Sequence, residues 1–368
     1  MRVGIPTEVK PDESRVALTP AGVTAFHAAG HDVVVQAGAG LGSALPDVAY
    51  ERAGATVVST AAAVWERADL VLKVKEPMEV ELGLMRPGQV LFTYLHLAAS
   101  LPLTEQLLER RVVAIAYETV QLDDGTLPLL VPMSEVAGRL SVQAGAASLE
   151  MTSGGKGILL PGVSGVRRGR VTIIGAGIVG LNACVVGVGF GADVTIVDIN
   201  PLRLAYVRDV VQGHVTTLMS NAANIEEAVR DADLVICAVL IPGAKTPRLV
   251  TRRHLRLMEH GSALVDVAVD QGGCAETSRP TTHHDPRYIE EGVVHYCVSN
   301  MPGAVPHTST YALTNATMAY ALEIANKGWR EAARDPALAR GVNAVDGRVT
   351  HAAVADAHGL EHTPLERL

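Results

Sequence analysis

What this sequence lacks narrows its reading first. Its four cysteines, Cys184, Cys237, Cys274 and Cys297, form no C-x-x-C pair, so neither a disulfide framework nor a thiolate metal site is indicated. They read as buried free thiols. No Lys/Arg block and no alternation of basic with aromatic residues occurs, and the formal net charge is −8. Nucleic acid is therefore excluded as a partner. No uninterrupted apolar stretch approaches the ~20 residues of a membrane span. The opening MRVGIPTEVK has no apolar segment behind a basic end. The expected setting is the cytoplasm, with no membrane partner.

What is present is apolar and evenly distributed. Hydrophobic residues make up 48% and charged residues 19% of 368, which suits large buried sheets and more than one core. Short β-rich runs, RVGIP, HDVVVQA, ATVVS, ADLVLKVK, QVLFTYLH and RVVAIAYE, alternate with Ala-rich helical stretches over about residues 1–128. Continuous apolar strands separated by helices predict a parallel sheet covered on both faces. SEVAGRLSVQAGAASLEMT and YALTNATMAYALEIANKGW read as long helices. The expected fold class is α/β, with two doubly wound Rossmann-like domains and a cleft between them.

The second unit opens on GRVTIIGAGIVGLNACVVGVGFGADVTIVD. A strand runs into Gly175 and Gly177, a helix starts through Gly180, and a second strand ends at Asp198. Strand, G-x-G-x-x-G, helix and a distant acid together predict a dinucleotide site, because the glycines let a pyrophosphate reach the unpaired N–H groups of a helix start. Asp198 would accept bonds from the ribose hydroxyls and repel a 2′-phosphate, favouring NAD. Arg203 lies near enough to offset part of that repulsion.

Ligands of open α/β sheets sit beyond the carboxyl ends of the strands. Lys75 is expected to close LVLKVK, His96 to close VLFTYLH, Glu118 to close VVAIAYE and Asp270 to close LVDVAVD. Within LFTYLHLA, alternation places Leu91, Thr93, Leu95 and Leu97 on one face, with Phe92, Tyr94 and His96 on the other. A cation that binds a carboxylate, a histidine that moves a proton and a carboxylate that stabilises a cation fit one chemistry. The doublet His283-His284 beside Asp285 reads instead as a surface loop, since adjacent side chains point apart and a metal site requires further ligands. Trp65 and Trp329 read as packing residues.

GIPTEVKPDESRVALTPAGV, KVKEP, VPMSEVAGRLSVQAGA, VTIIGAGIVG, AVLIPGAKTP and VSNMPGAVPHTST resemble, in order, blocks of the family that unites alanine dehydrogenases with the NAD-binding component of proton-translocating transhydrogenases. Asp12, where asparagine is common, and Phe26, in place of a usual leucine, are minor departures. TYLH and VAVDQGG are similar to the dehydrogenase branch, whereas the other branch typically carries glutamine at His96 and Asp270. The resemblance implies NAD-dependent interconversion of L-alanine with pyruvate and ammonia, by a homo-oligomer, commonly a hexamer. It implies His96 as acid/base, Asp270 as the charge-stabilising acid, and Arg15 and Lys75 on the substrate carboxylate. Tyr94, Glu118, Met133 and Asn300 would shape the pocket. Ser134, Ile178, Val179, Ser220, Val239, Leu240, Val267, Val298 and Met301 would line the cofactor site, with Asp270 also touching it. Residues 1–128 with 306–368 are expected to form the substrate domain, and 129–305 the NAD-binding domain.

Overall fold

The computed structural model describes residues 1–239 and 246–368. Among the described residues the strands, in chain order, are β1 Arg2–Ile5, β2 Asp32–Gln36, β3 Thr56–Val58, β4 Leu70–Leu72, β5 Val90–Thr93, β6 Val113–Ala116, β7 Arg170–Ile174, β8 Asp193–Asp198, β9 Val215–Met219, β10 Leu234–Cys237, β11 Ala263–Asp266, β12 Arg287–Glu290, β13 Val293–Tyr296, β14 Val342–Val345 and β15 Arg348–Val349. The chain divides into two compact units, one of residues Met1–Met133 and Val305–Leu368, the other of Ser134–Ala304.

The discontinuous unit holds a sheet in the order β15-β14-β6-β5-β4-β1-β2-β3. β1 to β6 are parallel, and β14 and β15 add antiparallel to the β6 edge. Central strands such as β4, β5 and β6 are buried along their whole length, as a sheet covered on both faces demands. Gly4 in β1 is required by close approach: a Cβ there would lie 2.5 Å from the Cβ of Ala68, just past the helix Ala61–Arg67. The expected late helix is Pro306–Lys327, and it is tied to the N-terminal segment where Thr310 Oγ1 accepts the Val16 N–H at 3.1 Å. Trp65 is 1% exposed in a core that also contains Leu91, Leu95, Leu97, Ala344 and Val354.

The contiguous unit repeats the design, with the order β12-β13-β11-β10-β7-β8-β9 and only β12 antiparallel. Each sheet therefore contains the doubly wound order 3-2-1-4-5-6, and each reverses direction once, between β1 and β4 and between β7 and β10. Those reversals leave a crevice beyond the strand ends, where the connections run away to opposite sides. The helix Val131–Ser148 forms where the Ala/Ser-rich run predicts one. All four cysteines are buried free thiols. Among the described residues no helix is long and apolar enough to cross a membrane.

Candidate active site

In the first unit, Arg15 follows β1 and Lys75 follows β4, so both cations leave the two strands that flank the reversal. Arg15 is 2% exposed. Its Nε and Nη2 donate to the two Glu13 oxygens at 2.7 and 2.5 Å, and its Nη1 lies 3.0 Å from Met133 Sδ. Burial opposes the guanidinium charge, but the bonds and charge of Glu13 outweigh it and hold the pKa up. Lys75 sits 5.9 Å from the centre of the Tyr94 ring. Burial and the Arg15 charge lower its pKa.

Lys75 does not close its strand, as the run LVLKVK leads one to expect; β4 stops at Leu72, three residues earlier. The reason is Glu8, whose carboxylate accepts the Val74 and Lys75 N–H groups at 2.6 and 3.4 Å where a neighbouring strand would otherwise bond. Glu8 also takes Lys73 Nζ at 3.1 Å, and Glu81 takes the same ammonium at 2.9 Å, with all three side chains almost fully buried. Sequence reasoning missed Glu8 and Glu13, because TEVKPDESR looks like a solvated charged loop, and it missed Lys73 and Glu81 as well. The available clue was Lys73 itself: a lysine inside an apolar strand requires buried counter-charge.

His96 likewise lies beyond its strand, since β5 ends at Thr93. Its backbone is left-handed (φ 51°, ψ 38°), a conformation costing a non-glycine residue about 1–2 kcal/mol. Glu118, in a one-turn helix after β6 and not at that strand's end, holds it there. Glu118 Oε1 accepts the His96 N–H at 2.5 Å, and both its oxygens accept the Leu95 N–H at 3.2 Å. The imidazole is 47% exposed, with Nδ1 4.0 Å from Glu118 Oε1. Its ring stacks parallel on Tyr94, 6.0 Å between centres. Tyr94 is itself fixed, its hydroxyl donating to Leu129 O at 2.6 Å, and burial pushes that phenol's pKa up. Lys75, Tyr94, His96 and Glu118 thus form one chain of contacts, and Arg15, itself held against Met133, acts on Lys75 and Tyr94 through its charge.

The second unit carries the glycine turn. Gly175 has φ 104°, and a Cβ there would lie 2.7 Å from Ala238 O beyond β10, so the two strand exits nearly touch at the reversal. A Cβ on Gly180 would sit 1.8 Å from Gly175 O, which seats the helix against the turn. Gly177 is the N-cap of the helix Ile178–Gly189, with no side-chain cap, and a Cβ there would meet nothing within 4 Å. The cap without a side chain, beneath helix-start N–H groups of Ile178 and Val179 that have no partner within the helix, fits a pyrophosphate.

Asp198 is the last residue of β8, as expected. Its oxygens accept the Ala176 N–H at 2.6 Å and the Asn200 N–H at 2.8 Å. Arg203 donates to Ala176 O at 2.9 Å, and Ser220 N–H bonds Asp198 O at 2.9 Å. Val267 follows β11 directly and Val239 lies two residues past β10, Ser134 opens the chain segment of this unit, and Val298 and Met301 are buried. Leu240 lies outside the described residues. Asp270 does not close β11, which ends at Asp266; it lies in the single turn Val269–Gln271, because the Ala268 N–H bonds the Asp266 side chain and turns the chain out of the sheet. Asp270 is exposed, and its Oδ2 accepts the N–H of Asn300, a residue with φ 59°, at 3.3 Å. Asn300 is thus a neighbour of Asp270 within this unit.

Family models described as alanine dehydrogenase/PNT match residues 4–137 with the N-terminal domain and 141–352 with the C-terminal domain. The chain is 58% identical over 371 residues to an alanine dehydrogenase of Geobacillus stearothermophilus, covering 100% of this chain and 99% of that one. To an alanine dehydrogenase of Methanococcus maripaludis it is 55% identical over 369 residues, with the same coverage. A solved structure of an L-alanine dehydrogenase superposes with a TM-score of 0.95 at 50% identity, over 98% of this chain and 99% of that one.

Proposed function

The chain belongs to the alanine dehydrogenase/PNT family, and on that premise we propose how its residues divide the work of NAD-dependent, reversible oxidative deamination of L-alanine to pyruvate and ammonia. It is an amino-acid dehydrogenase. When bound, NAD supplies the hydride acceptor and, reduced, the hydride donor. Gly175, Gly177 and Gly180 with the first turn of their helix would hold its pyrophosphate, and Asp198 its ribose. Val239, Val267 and Met301 would line the same site.

The observation that carries the catalytic assignment is the turn at His96: a half-exposed imidazole on a strained backbone, fixed by a carboxylate and stacked on a tyrosine. Strain of this kind persists where surrounding structure over-determines it, as at sites of chemistry. In the reductive direction Arg15 and Lys75 bind the pyruvate carboxylate. Ammonia adds to the carbonyl carbon, and His96 returns a proton to the oxygen, which departs as water from the carbinolamine. Asp270 stabilises the positive charge of the resulting iminium. In the oxidative direction His96 accepts the proton of the attacking water.

The working form is a homo-oligomer, a hexamer by family resemblance, acting in the cytoplasm in L-alanine catabolism. Association is supported by large apolar side chains standing in solvent on one segment, Met151 (81% exposed), Leu159 (61%), Val163 (61%) and Val166 (62%). The test is NADH oxidation by the purified chain given pyruvate and ammonia, with His96→Ala beside it. Turnover by the wild type and a loss of about 10²–10⁴ in the variant, at unchanged NADH affinity, are expected. Full turnover by the folded variant would return His96 to a packing role.

A further inference from the structure

Asp266 ends β11 and has no exposed surface. Its carboxylate gathers four donors. Oδ1 accepts the Ala268 N–H at 3.0 Å; Oδ2 accepts the N–H groups of Cys274 and Ala275 at 2.7 and 3.2 Å and the Ser278 hydroxyl at 2.5 Å. These donors lie on both sides of the segment 269–273, which carries the exposed Asp270. The segment closes tightly on the carboxylate: a Cβ at Gly273, where φ is 79°, would lie 3.0 Å from Asp266 Oδ2.

The segment lies past the end of β11, and its shape comes from these bonds, from its own turn bonds to Ala268 O and Val269 O, and from a few outside it. Arg248 donates to Gly272 O at 3.3 Å, and Thr246 N–H to Gln271 O at 3.1 Å. Asp266 ties the two ends of the segment together through one carboxylate, beside the bond of Val267 N–H to Cys237 O at 3.0 Å in β10. A carboxylate buried at this depth is tolerated because its donors satisfy it, and losing the acceptor releases every donor at once.

We infer that Asp266 is a positioning residue for Asp270, fixing where that carboxylate stands relative to the developing iminium charge. The inference rests on the role proposed above for Asp270. Misplacement of a charge-stabilising group by about 1 Å costs on the order of a hundredfold in rate, whereas substrate binding through Arg15 and Lys75 is untouched.

The test is a double-mutant cycle. Asp266→Asn keeps the volume but sets an amide N–H₂ among N–H donors; Ser278→Ala removes one of the four bonds and leaves the carboxylate. Each is made alone and combined with Asp270→Asn, and kcat, the KM for pyruvate, NADH binding and Tm are measured. Asp266→Asn is expected to lower kcat at least roughly tenfold with the pyruvate KM within about threefold, and Ser278→Ala to lower it about threefold. Both losses should shrink below about twofold in the Asp270→Asn background, where no carboxylate remains to be misplaced. Equal losses in both backgrounds, or unchanged kcat in the folded single variants, would overturn the inference. Should Asp266→Asn not fold, the Ser278→Ala pair decides in the same way. Wild-type kcat in Asp270→Asn alone would instead overturn the role of Asp270, and the two failures are told apart by that one variant.

Discussion

Replacing Glu118 with alanine removes the acceptor for the backbone N–H groups of both Leu95 and His96. The Leu95 N–H is partly buried, so loss of its charged acceptor costs about 1.5–3 kcal/mol, whereas the His96 N–H faces solvent and water restores most of its bond. The left-handed backbone of His96, costing about 1–2 kcal/mol, is no longer countered. A net ~2 kcal/mol shifts the balance between held and released turn roughly thirtyfold. Steady-state kinetics of Glu118→Ala should therefore show kcat down by roughly ten- to thirtyfold, with the pyruvate KM within about threefold. Glu118→Gln keeps an oxygen where Oε1 accepts both N–H groups, and its kcat should stay within about threefold of wild type. A raised KM with kcat intact would make Glu118 a substrate ligand. A Gln variant as slow as the Ala variant would mean that charge on His96, and not the backbone bonds, is what Glu118 supplies.

Asp198→Gly, with NADP and NAD compared by kcat/KM, should raise the NADP/NAD ratio, because a carboxylate that repels a 2′-phosphate is gone; an unchanged ratio would remove Asp198 from the ribose. Arg15→Ala or Lys75→Ala should raise the pyruvate KM at least tenfold, about the worth of one charge-assisted bond, while NADH titration by fluorescence barely moves. Since burial and the Arg15 charge lower the Lys75 pKa, the ammonium is lost at a lower pH than in an ordinary lysine. The pyruvate KM should accordingly rise on the alkaline side beginning below the usual lysine value of 10.5, and Lys75→Arg, if active, should push that rise to higher pH. A flat KM across that range would show that Lys75 carries no charge to the substrate.

The apolar runs of both sheets were legible because strands buried on both faces have no polar alternation to confuse them. The glycine turn was legible because its backbone demands are local, as the φ of Gly175 and the closeness of Gly180 to it show. What sequence could not give was where each strand stops. Lys75, His96, Glu118 and Asp270 each lie past the last paired residue, because a side-chain carboxylate or a sharp turn takes over from the neighbouring strand. Glu8, Glu118 and Asp266 do this from points distant in the chain or from inside a run that reads as strand. Local patterning registers only the distance at which a residue type recurs, and Glu8 and Val74 are joined by folding alone.

The interruption of the first unit has a bearing on synthesis. A ribosome delivers the six parallel strands β1 to β6 early, then all of residues 134–304, and only afterwards β14. Until β14 arrives, β6 is a fully apolar edge whose outward backbone groups have no strand to bond, the kind of edge that invites pairing with another nascent chain. The turn that carries His96 waits as well, for its neighbour Leu97 accepts a bond from His358 Nε2 at 2.7 Å, and Leu97 packs in the same core as Val349 and Val354. The contiguous unit can fold as it emerges, whereas the unit carrying the imidazole is finished only when the chain is nearly complete. Holding the early half apart from its own kind during that interval is work for chaperones, and expression at lowered temperature, with fewer chains waiting at once, should favour soluble protein.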